Sequence, residues 1–106
     1  MPKVTLCRLD ELASGGARHF DVAGRSLAVV RLDDRVYALH DVCSHEKVAL
    51  SEGEVDPDEL TLECWKHGST FSLETGEPLS LPATRPVPTY DVRVDGDDVV
   101  VVLPDE

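Results

Sequence analysis

The stretch "DVCSHEKVALSEGEVDPDELTLECWKHGSTF", residues 41–71, sets two thiols and two imidazoles in two short boxes. The first is Cys43-Ser44-His45, a C-x-H, and the second is Cys64-Trp65-Lys66-His67, a C-x-x-H. Residues 46–63 lie between them. Soft thiolates and imidazoles at such spacing form a metal-ligand set. Each box follows a strand-like run, "RVYALHD" before Cys43 and "ELTLE" before Cys64. Both boxes therefore fall in loops at strand ends, and two such loops facing each other could share one metal centre.

The chain on either side reads as short strands. In "RSLAVVRL", Leu27 and Val29 point one way and Ala28, Val30 and Leu32 the other, a strand covered on both faces. Asp33-Asp34 turns it into "RVYALHD", where Val36 and Ala38 alternate with Tyr37 and Leu39. In "TYDVRVDGDDVVVVL", Tyr90, Val92 and Val94 face one way and Asp91 and Arg93 the other, and Asp95-Gly96 supplies a primed turn. Helix signals are scarce: "LDELASGG" suits one turn, with Asp10 as cap and Gly15 as stop. Prolines at 57, 78, 82, 86, 88 and 104 break any longer helix. The expectation is an all-β single domain, 1–106, of stacked antiparallel sheets and hairpins, with the two loops forming a binding subdomain.

The formal net charge of −11 on 106 residues argues against nucleic acid, whose phosphates would repel such a surface. It favours solubility and steering toward a basic partner. The N-terminus "MPKVTLCRLDEL" carries charges where a signal peptide needs an apolar core. The longest apolar run, Val99 to Leu103, is too short to cross a bilayer. These features predict a cytoplasmic, monomeric protein without membrane association. Three cysteines suit metal binding in a reducing compartment better than a disulfide scaffold.

Four such ligands could hold a structural zinc, but zinc fingers pair cysteine with cysteine in one box and histidine with histidine in the other. Here each box has one of each. That mixture suits two distinct irons, one taking both thiolates and the other both imidazoles. The boxes and their surroundings resemble the Rieske family. "YALHDVCSH" resembles the strand entering the first ligand loop, and "CWKHGSTFSLETGEP" the second, with Gly68 letting the backbone approach the cluster and Thr75-Gly76 turning. "LPATRPVPTYDVRVDGDDVVVV" resembles the proline loop and closing hairpin. A chain this short is similar to the soluble Rieske-type ferredoxins of ring-hydroxylating oxygenases. The resemblance implies a [2Fe–2S] cluster, with Cys43 and Cys64 on one iron and His45 and His67 on the other. It implies a one-electron carrier, not a catalyst, between a flavin-dependent reductase and a terminal oxygenase. An accessory role, in iron–sulfur assembly or like the nitrite-reductase small subunit, is the alternative.

The respiratory branch of the family carries a disulfide between the two loops. Its places are Val48 and Lys66 here, so that bond cannot form. Ser69 matches a serine of that branch, but Phe71 stands where it has a tyrosine. Losing a hydrogen bond to sulfur lowers the potential, so a value on the low side of the Rieske range is expected. Lys47 and Lys66 lie in or beside the boxes, which predicts a locally mixed docking tip with Trp65 and Pro82 as apolar contacts. Trp65 either shields the cluster or forms a contact surface. Cys7, His19 and His40 match no ligand position, and read as a buried small side chain and as surface or packed histidines. "DGDD" lacks the surroundings of a calcium loop.

Overall fold

The computed structural model describes residues 3–22, 24–41, 49–65, 68–79 and 86–103. Nine strands form two antiparallel sheets among these residues. The strands are β1 (Lys3–Arg8), β2 (Gly16–Val22), β3 (Arg25–Leu32), β4 (Arg35–His40), β5 (Glu54–Asp56), β6 (Thr61–Glu63), β7 (Thr70–Ser72), β8 (Thr89–Asp95) and β9 (Asp98–Val102). The larger sheet runs β1-β9-β8-β4-β3-β2 and the smaller β5-β6-β7. The all-β expectation is met. Among the described residues no helix is long and apolar enough to cross a membrane.

β3 and β4 are the middle layer, because both of their faces are apolar. Leu27, Val29 and Ala38 join Val99, Val101 and Leu103 in one core cluster. Val4 and Leu6 of edge strand β1 and Phe20 of edge strand β2 pack on the same cluster, so the large sheet curls over it. Ala28, Val30 and Leu39 point the other way. They join Leu50, Leu62, Cys64, Phe71 and Leu73 in a second cluster beneath the small sheet. The alternations read in β3 and β4 therefore face two cores, whereas that of β8 turns Tyr90 and Val92 to one core and Asp91 and Arg93 outward.

The β3–β4 turn is Asp33-Asp34 as expected, with Leu32 opposite Arg35 and Asp33 at φ 55°. The β8–β9 turn is shifted by one residue from the sequence reading. Asp95 pairs with Asp98, so Gly96-Asp97 form the tip. Only Gly96 takes positive φ there, 64°, the pattern of a II′ turn. The helical turn is a single 3-10 turn, Leu9–Glu11, and Asp10 lies inside it rather than capping it. The carboxylate of Glu11 reaches back 2.8 Å to accept from the Arg8 N–H, which starts the turn earlier.

Two glycines let the segments that frame the small sheet come close. A Cβ on Gly76 would lie 2.1 Å from the Val87 carbonyl oxygen, and Val87 N–H donates to the Gly76 carbonyl at 2.9 Å. A Cβ on Gly53 would lie 1.7 Å from the Glu63 carbonyl oxygen, one residue before Cys64. Gly53 ends the second 3-10 turn, Leu50–Glu52, so this approach ties the far root of the first box to the strand leading into the second. Gly53→Ala is expected to cost about 1–3 kcal/mol, because a backbone carbonyl cannot move aside as a flexible side chain would. Gly16→Ala, whose Cβ would meet its nearest atom at 3.4 Å, should cost clearly less. Denaturant midpoints of the two variants check this.

Candidate metal centre

Of the four expected ligands, Cys64 is described, whereas Cys43, His45 and His67 lie outside the described residues, as do Lys47, Val48, Lys66 and Pro82. Cys64 opens the tip of the β6–β7 hairpin. Its N–H donates to the Ser69 carbonyl at 2.6 Å, and its carbonyl accepts from Gly68 N–H at 2.9 Å. These bonds hold Cys64, a member of the second box, against Gly68 and Ser69. Gly68 has φ 76°, a conformation costly for any residue with a Cβ. A Cβ there would meet only the Glu63 carboxylate, at 3.9 Å. Among the described atoms, then, it is the turn's geometry that calls for a glycine at 68.

Cys64 and Ser69 are wholly buried, as is Phe71 on β7. Phe71 offers an apolar ring where a tyrosine would bring a hydroxyl. Leu39, two residues before Asp41, and Leu50, after the first box, sit in the same apolar cluster as Leu62, Cys64 and Phe71. The roots of both boxes thus share one core. A buried thiol at a hairpin tip, beside the root of a second thiol–imidazole pair, suits a cluster with cysteine and histidine ligands.

Trp65 is 53% exposed and Leu79 58%, the two large apolar side chains left in water among the described residues. Trp65 follows the buried Cys64 directly and points outward, which favours a contact surface over a shield. A cleft of about 590 Å³ is lined by Ser14, Leu32, Asp33, Arg35, Tyr37 and Leu60 among others. It lies at the opposite end of β4 from the first box.

Comparison with known proteins agrees with this geometry. The family model described as Rieske [2Fe-2S] domain matches residues 2–91. The chain belongs to the Rieske [2Fe–2S] family. A [2Fe–2S] cluster is accordingly its cofactor. The ferredoxin subunit of 3-phenylpropionate/cinnamic acid dioxygenase from Escherichia coli (strain K12) is 36% identical over 105 residues, covering 99% of this Rieske chain and 97% of that protein. The ferredoxin of carbazole 1,9a-dioxygenase from Nocardioides aromaticivorans IC177 superposes with a TM-score of 0.92 at 40% identity, over 95% of this chain and 97% of that one. A chain in a complex of reduced oxygenase and oxidized ferredoxin in carbazole 1,9a-dioxygenase matches with a TM-score of 0.85 at 36% identity, over 93% and 91%. This Rieske protein is likewise an electron-transfer component and not a catalyst by itself.

One polar group beside the Rieske site went unread in the sequence. The side chain of Asp41 is fully buried and accepts from Ser51 N–H at 2.7 Å, Ser51 Oγ at 2.6 Å and His19 Nδ1 at 2.5 Å. His19 also lies 3.1 Å, through Nε2, from Asp21 Oδ1. It is therefore no isolated surface histidine but a link between a buried and an exposed carboxylate. His40 is packed, with its Nδ1 buried and without a partner among the described residues. Cys7 is half-buried against the larger core, and burial first, then Glu11, pushes its thiol up.

The bond to Asp41, then that to Asp21, raises the pKa of His19 above its ordinary value. A raised folded pKa stabilises the fold below about pH 6.5, the unfolded value, and the contribution fades as pH rises through the folded one. His19→Gln should therefore lose most stability relative to the parent near pH 6. The gap should narrow toward pH 9, as followed by the midpoint of denaturant-induced loss of cluster absorbance.

Proposed function

We propose that Cys43 and Cys64 hold one iron, and His45 and His67 the other, of a cluster that carries single electrons from a flavin-dependent reductase to a ring-hydroxylating oxygenase. The observation carrying this reading is the buried Cys64 thiol in a hairpin tip rooted in the same core as the chain flanking the first box. The named relatives are ferredoxin components of dioxygenases, which favours the carrier over an accessory or nitrite-reductase-like role. The oxygenase complex of a 36% identical ferredoxin supports the choice of acceptor. A cluster held here supplies one reversible electron.

The chain's own part is to fix the ligands, exclude water from Cys64 and present a face to each partner. Residues 1–106 act as one domain and as a monomer in the cytoplasm, where free thiols persist. With a formal net charge of −11, the long-range field attracts a basic partner, and salt screens it over about 10 Å at 0.1 M. At short range Trp65 supplies rigid apolar contact beside a ligand.

Purified protein should contain about two irons and two sulfides per chain and show, when reduced, a Rieske paramagnetic resonance spectrum. His67→Cys should abolish that spectrum while Cys64→Ser loses the cluster. One zinc per chain, without colour, would exclude the assignment. Trp65→Ala should weaken oxygenase binding by about tenfold, as truncating an interface tryptophan does, and leave the resonance spectrum unchanged. Titration with the oxygenase under matched salt measures it.

A further inference from the structure

Asp41 and Ser51 stand on either side of segment 42–50, which in sequence carries Cys43 and His45. The Asp41 carboxylate spans this gap with both oxygens. Oδ1 accepts from the Ser51 backbone at 2.7 Å, and Oδ2 from the Ser51 hydroxyl at 2.6 Å. Oδ2 also takes the bond from His19 on edge strand β2. Asp41 is itself held from behind. Its N–H donates to the Ser26 carbonyl at 2.9 Å, and His40 N–H to the Pro88 carbonyl at 2.8 Å. Leu50, next to Ser51, is fully buried in the core shared with Cys64.

A buried carboxylate is unfavourable unless its oxygens are satisfied, and here three donors satisfy it at one point. Apolar packing would have held the strand end at lower cost. What the carboxylate adds is direction: a two-point bond to one residue sets both the separation and the relative orientation of the loop's ends. Hydrogen bonds behind metal ligands orient those ligands, and a bond that fixes both ends of the ligand-bearing segment acts one step further back.

We propose that Asp41 is a positioning residue for the cluster, a clasp that joins the ends of the first ligand loop through Ser51, with His19 as its outer anchor. This rests on the ligand assignment proposed above. Asp41 touches no iron in this reading and acts through the segment it closes.

The test uses the cluster-loaded protein and four variants, Asp41→Asn, Ser51→Ala, Ser51→Thr and His19→Gln. Three quantities are read: the resonance line shape of the reduced cluster, the rate of iron release to a chelator, and the global unfolding midpoint. Asp41→Asn replaces one acceptor oxygen by a donor facing donors. It should broaden or shift the resonance lines and release iron about tenfold faster, as loss of a partner behind a metal ligand does. Ser51→Ala should move both in the same direction by less, and Ser51→Thr, which keeps hydroxyl and amide, should restore parent behaviour. His19→Gln should have the smallest effect, because both bonds to Ser51 survive. If Asp41→Asn fails to fold, the Ser51 pair decides alone. Parent-like line shape and release in Asp41→Asn and Ser51→Ala would overturn the clasp, even if the unfolding midpoint fell. A parent protein without a Rieske spectrum would instead overturn the ligand assignment on which the clasp depends.

Discussion

One apolar cluster roots the chain that flanks both boxes. Leu39 and Leu50 flank the first box, Leu62 leads into the second, Cys64 opens it, and Phe71 follows it. All five are fully buried together. Burying a leucine or phenylalanine side chain contributes about 1.5–3 kcal/mol relative to exposure, so the packing that holds the loop roots is also a large part of what holds the fold. The segments flanking the two boxes, far apart in sequence, gain a common position in this way.

The middle layer makes this possible. β3 and β4 are apolar on both faces, so they complete the larger core on one side and support the loop roots on the other. Close backbone contacts then fix the small sheet and the segments around it. Gly53 against Glu63 and Gly76 against Val87 leave no room for a side chain, and Leu60 adopts a positive φ of 56° where its carbonyl accepts from Leu73 N–H at 2.9 Å. A leucine in that region is strained and persists only where packing and hydrogen bonding over-determine it.

Charge and burial divide the work of an electron carrier. The net charge of −11 acts at a distance, whereas in the function proposed above Trp65 acts on contact, next to a Cys64 kept out of water. Among the described residues one carboxylate departs from this division: Asp41, next to the first box in sequence, is buried instead of facing solvent. Its partners come from β2 and from the turn after the box, so its setting spans parts of the chain that only folding brings together.

Much was legible in the residues themselves. Alternation in "RSLAVVRL" and "RVYALHD" sets which side chain faces which core, because strand side chains alternate whatever the surroundings. The spacing of Cys43, His45, Cys64 and His67 pointed to a metal centre, since ligand chemistry is carried by residue type. Turn placement was less secure: Gly96-Asp97 forms the β8–β9 tip, because pairing of Asp95 with Asp98 decides the register and the turn must follow it. Three things only the tertiary structure decided. His19 finds Asp41 across 22 positions of sequence, Gly53 finds the Glu63 carbonyl, and Leu50 finds Cys64. Each is a contact between segments that no local pattern links, because the sheets' pairing and the shared core, not neighbouring residues, determine which atoms meet.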